Sequence, residues 1–83
     1  MSKKDKLIKK LKSRPKDFTF NEAETLITSL GLRRSNKGKT SGSKVAFVKD
    51  NIRIDLHKPH PRSILKLYQI EDIINILERE ELI

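Results

Sequence analysis

Apolar positions along the chain fall into three stripes at helical spacing and one alternating segment. Ala23, Leu26, Ile27 and Leu30 sit at i, i+3, i+4 and i+7, one face of an α-helix. Thr19, with Glu22 three residues on, forms a capping box at its start, and Gly31 is suited to end it. Leu67, Ile70, Ile73, Ile74 and Leu77 make a longer stripe, with Glu71, Asp72, Glu78, Glu80 and Glu81 at the exposed positions. Leu7, Ile8 and Leu11 make a short stripe among lysines. It closes at Ser13-Arg14-Pro15, because Pro15 disfavours helical geometry in Arg14.

Period two takes over between the second and third stripes. Ile52, Ile54 and Leu56 alternate with Arg53, Asp55 and His57, the pattern of a half-buried strand. The segment 44–49 precedes it, and Asp50-Asn51 between them suits a two-residue hairpin turn, since both residues tolerate positive φ. A short strand over 32–34 comes before residues 35–43, which contain no apolar residue and read as a basic loop. Residues 58–63 hold two prolines and read as irregular. The predicted order is α-α-β-β-β-α. The fold class is α+β, a three-stranded antiparallel sheet with helices packed on one face. Residues 1–14 form a basic N-terminal helical extension and residues 15–83 a single domain.

The turn has a consequence for the sheet. It pairs Lys49 with Ile52, Val48 with Arg53, Phe47 with Ile54, Ala46 with Asp55, Val45 with Leu56 and Lys44 with His57. Opposed residues share a sheet face. Val45, Phe47, Ile52, Ile54 and Leu56 therefore face the helices. Lys44, Ala46, Val48, Arg53, Asp55 and His57 lie on the face without helices.

Composition narrows what such a domain does. With 83 residues, 35% of them hydrophobic, the chain has room for one small core; a domain of this size buries only about 60% of its unfolded surface. No apolar run approaches the roughly 18 residues of a membrane span. The start lacks the apolar stretch of a signal peptide, which predicts a cytoplasmic protein without a membrane partner. The absence of cysteine excludes disulfides, cysteine-ligated zinc and thiol nucleophiles. Lys and Arg number 19 against 11 Asp and Glu, a net charge of +8. The charge is blocked: residues 33–44 carry five positive charges and no negative one, whereas 63–83 are acidic on balance. A basic surface of this kind is the electrostatic footprint of a nucleic-acid binder. The candidate RNA contacts are Arg34, Lys37, Lys39, Ser43, Lys44 and Arg53.

On the helix-free face, Lys44 lies opposite His57, with Asp55 two residues away. Such a group suits general acid–base work on a phosphodiester. His titrates near neutrality, Asp orients and balances it, and Lys offsets developing phosphorane charge. These residues equally fit the plain solvent side of a strand. His60 follows Pro59, where it shapes the loop or touches a phosphate. His57, His60 and Asp55 do not make a metal site, because the spacing crosses a strand end and a proline-flanked loop with no fourth ligand near. Neither metal nor cofactor is expected.

These residues resemble the HicA toxins of toxin–antitoxin pairs, small proteins with a double-stranded-RNA-binding-like (dsRBD-like) fold. The resemblance rests on Thr19-Phe20-Asn21-Glu22 entering a helix that ends at Leu30-Gly31, and on Ser41-Gly42-Ser43-Lys44-Val45-Ala46-Phe47. It rests also on Leu56-His57-Lys58-Pro59-His60-Pro61, followed by Leu65, Tyr68 and the last helix. It implies a metal-independent mRNA endoribonuclease (an mRNA interferase) acting in the stress response and neutralised by an acidic HicB-like antitoxin protein. The family's usual motif is Gly-Ser-His, with that His catalytic; here it is Gly42-Ser43-Lys44. Either His57 supplies the imidazole from the neighbouring strand, with Lys44 beside it, or the chain binds RNA without cutting it. A small basic DNA-binding or ribosome-associated protein is a further alternative, disfavoured by the lack of a helix-turn-helix reading helix.

Overall fold

The computed structural model describes residues 2–35, 44–57 and 63–83, with Lys44 described by its backbone only. The element order is α1 (Lys3–Lys12), α2 (Phe20–Ser29), β1 (Arg33–Ser35), β2 (Lys44–Lys49), β3 (Ile52–His57) and α3 (Leu67–Arg79). The strands form one antiparallel sheet in the order β1-β2-β3. The expected α+β class and element order are both found. The expected loop over 35–43 and the irregular stretch over 58–63 lie outside the described residues, apart from Ser35 and Ser63.

Local chemistry accounts for the end of α1, both ends of α2 and the hairpin turn. The Glu22 amide donates to the Thr19 hydroxyl at 3.1 Å, and the Thr19 amide donates to Glu22 Oε1 at 3.0 Å, the reciprocal bonds of a capping box. Gly31 follows α2 at φ +104°, a conformation that costs a side chain dearly. Arg14, held before Pro15, leaves α1 at φ +53°. Asp50 takes φ +50° at the hairpin turn, and the β2–β3 register is the one the two-residue turn dictates, from Lys49 opposite Ile52 to Lys44 opposite His57.

α2 lies over the β1 side of the sheet and α3 over the β3 side, with α1 packed against both helices. Between the layers Phe47, Ile54 and Leu56 from the sheet meet Leu26, Ile27, Ile70, Ile73, Ile74 and Leu77. Leu7 and Leu11 of α1 join this same core, and Leu11 is fully buried. Phe18 is also fully buried, and Lys10 Nζ stands 5.9 Å from its ring centroid. No helix among the described residues is long and apolar enough to cross a membrane.

Three details depart from the sequence pattern. β1 runs one residue later than expected, because Leu32 is buried at the link from α2 instead of joining the strand. Leu67 is 55% exposed although its spacing puts it on the α3 stripe, whereas Leu65 before it and Gln69 after it are buried. The starts of α2 and α3 are joined by an isolated bridge between Thr19 and Ile64, with the Phe20 amide donating to the Ser63 carbonyl at 2.7 Å and the Leu65 amide to the Phe18 carbonyl at 2.8 Å.

Lys10 Nζ donates to Glu22 Oε2 at 2.8 Å, tying α1 to the start of α2. Burial pushes the Glu22 carboxyl up, but the hydrogen bond from Lys10 and those from Thr19 outweigh it and hold the carboxyl below its ordinary value. The hydrogen bond to Glu22 holds the Lys10 ammonium above its own. A carboxyl depressed in the folded state adds stability above its unfolded value and loses it as pH falls through the folded one. The raised Lys10 loses its contribution only in strong alkali.

Two expectations follow from this packing. Leu11→Ala should cost about 2–5 kcal/mol in urea unfolding, the usual range for a fully buried leucine; an unmoved midpoint would show that α1 is not part of the core. Glu22→Gln keeps the capping box, since glutamine serves at that position, and removes the titration. The thermal midpoint of the wild type should fall between about pH 5 and pH 3, and that of Glu22→Gln should fall less. Equal falls would mean that the carboxylate gains nothing from Lys10.

Candidate nucleic-acid interface

The helix-free face of the sheet is built in rows by the strand pairing. Arg33, Val48 and Arg53 form one row across β1, β2 and β3, Ser35, Ala46 and Asp55 the next, and Lys44 with His57 the third. Strand alternation sets the side chains of Arg33, Ser35, Ala46, Val48, Arg53, Asp55 and His57 on one side, because Phe47, Ile54 and Leu56 are taken by the core. Arg53, Asp55 and His57 are exposed, whereas the small Ala46 is shaded between its cross-strand neighbours.

Within this face the Asp55 carboxylate accepts from Arg53 Nε at 3.1 and 3.3 Å. Both side chains are open to solvent, so the pair is weakly held and can re-form around a ligand phosphate. The register sets Lys44 directly across from His57, and the ring of His57 stands at the exposed end of β3.

The backbone beneath His57 is fixed by a residue that no sequence motif singles out. Gln69 is the one buried polar residue among the described residues. Its Oε1 accepts from the Lys66 amide at 2.9 Å at the start of α3, and its Nε2 donates to the His57 carbonyl at 2.8 Å. One amide side chain therefore clamps the end of β3 to the first turn of α3. Beside it a groove of about 120 Å³ runs between β3 and α3, with Asp55, His57, Tyr68 and Asp72 along its walls.

The sequence-derived candidates are not all gathered here. Arg53, Asp55, His57 and the backbone of Lys44 share the helix-free face. Arg34 lies on the other face with Phe47, where its guanidinium meets Glu24 Oε2 at 3.3 Å. Its neighbour Arg33 takes the place on the helix-free face. Lys37, Lys39, Ser43 and His60 lie outside the described residues. Among the described residues no group of three His, Asp or Glu side chains is arranged to hold a metal ion. Comparison of the chain with protein-family models, with curated proteins and with solved structures finds no match.

Proposed function

We propose that the chain is an RNA-binding toxin of the HicA type that cleaves mRNA without a metal ion, using the helix-free face of the sheet. The observation that carries this reading is the β2–β3 register, which sets a lysine opposite an exposed histidine on a face that also holds Arg33 and Arg53. Exposed arginines on a sheet face suit phosphate contacts, which dominate affinity for nucleic acid. The strongly basic composition and the sequence resemblance to HicA support the same reading.

In the proposed reaction neutral His57 takes the proton of a ribose 2′-hydroxyl. The 2′-oxygen attacks the adjacent phosphorus, and the bond from phosphorus to the 5′-oxygen breaks. Water protonates the leaving 5′-oxygen, and His57 returns its proton to solvent. The products are a 2′,3′-cyclic phosphate and a 5′-hydroxyl. Lys44, across the strand, offsets the charge that develops on the phosphorane. An acidic HicB-like antitoxin covering this face would silence both binding and cleavage.

Two observations favour a second reading, RNA binding without cleavage. Gly42-Ser43-Lys44 stands where the family's motif has a histidine, and the Asp55 carboxylate is engaged by Arg53. Incubation of the pure protein with RNA in EDTA separates the two. The first reading expects cleavage to cyclic-phosphate ends, with His57→Ala slowing it by about 10²–10⁴ while sparing affinity. Cleavage at the same rate in His57→Ala would overturn the assignment of His57. Intact RNA with the wild type, and cleavage on Lys44→His, would establish the binding module.

A further inference from the structure

β3 is an edge strand, and no strand among the described residues covers its outer side. Which backbone groups face outward follows from the turn. A two-residue hairpin makes Lys49 and Ile52 a hydrogen-bonded pair, and antiparallel alternation extends this to Phe47 with Ile54 and Val45 with Leu56. The N–H and C=O groups of Arg53, Asp55 and His57 therefore point away from β2. The bond from Gln69 to the His57 carbonyl, which reaches β3 from the α3 side, agrees with this phase. That bond occupies the His57 carbonyl and leaves Arg53 and Asp55 as the outward-facing pair between turn and clamp.

Edges are commonly guarded by charges that repel an incoming strand. This one carries a positive and a negative charge placed symmetrically about Ile54. We propose that β3 pairs antiparallel with β3 of a second copy of this chain, about a two-fold axis through Ile54, to form a continuous six-stranded sheet. In that register Arg53 of each copy faces Asp55 of the other. Each such pair exchanges two backbone hydrogen bonds, so the ladder has four bonds and two cross-strand ion pairs. An axis through Arg53 or through Asp55 would set like charges opposite one another. An axis between residues would set outward-facing groups against inward-facing ones and form no bonds. Tyr68, 61% exposed at the wall of the groove beside this edge, offers apolar surface for the pair to cover. The helix-free faces of both copies then lie on one side of the extended sheet, as parity requires.

Sedimentation in the absence of RNA, together with cysteine cross-linking, tests this independently of any nuclease activity. The wild type should sediment as a dimer, Asp55→Arg as a monomer, and the charge-swapped Arg53→Asp/Asp55→Arg as a dimer again. The chain has no cysteine, so introduced thiols report without background. Chains carrying Arg53→Cys mixed with chains carrying Asp55→Cys should form the mixed disulfide on mild oxidation, since opposed Cα atoms lie about 5.5 Å apart, within disulfide reach. Like-with-like pairs are displaced by about 7 Å along the strand and should form far less. A monomeric wild type, an Asp55→Arg chain that dimerises as well as wild type, or like-with-like disulfides in excess would each overturn the proposal. Circular dichroism of each variant shows whether a loss of dimer is merely a loss of fold.

Discussion

Side chains of a strand alternate between faces, so slipping β3 by one residue against β2 would turn Phe47, Ile54 and Leu56 out to solvent. It would press Arg53, Asp55 and His57 into the core. The two-residue turn at Asp50 and Asn51 prevents that slip. It is tight, Asp50 accepts the left-handed φ it requires, and six residue pairs follow from it in strict order. Burial of the apolar face under α2 and α3 enforces the same register from the other side. Turn and core agree, and the position of every side chain on the helix-free face depends on that agreement.

The helices act on this face indirectly. α1 and the start of α2 are joined by Lys10 and Glu22, and the starts of α2 and α3 by the backbone bridge between 18–20 and 63–65. α3 then fixes the end of β3 through Gln69. The chain of contacts thus runs from the N-terminal helix to the backbone of His57 without crossing the exposed face. That arrangement leaves the face, with Arg33, Arg53, Asp55 and His57 exposed around Ala46 and Val48, uncovered by helices while holding its strands in place.

How much of this is legible in the sequence differs from element to element. The hairpin is written in period two and a turn dipeptide, so its register and its two faces follow from the sequence alone. α2 carries its capping box and its terminal glycine in plain order. β1 does not, because three residues hold too little alternation to tell which of Arg33 and Arg34 faces outward, and the burial of Leu32 decides it. Leu67 fits a helical stripe but is exposed in the first turn of α3, where Leu65 and Gln69 on either side are buried instead. The Gln69 clamp has no sequence signal: the Lys66 amide is a local partner three residues away, but the His57 carbonyl is brought to Gln69 only by folding. Of the candidate site, Arg53, Asp55 and His57 follow from the turn, whereas Arg33 and the Gln69 clamp do not.

The central claim is that RNA lies against the helix-free face of the sheet. Amide chemical shifts followed by NMR during titration with a short single-stranded RNA test it most directly. The account predicts the largest shifts at Arg33, Val48, Arg53, Asp55 and His57, with the outer positions of α3 at Glu71, Asp72 and Glu78 undisturbed. Shifts concentrated on α3, or none on β3 at RNA concentrations that saturate binding, would contradict it.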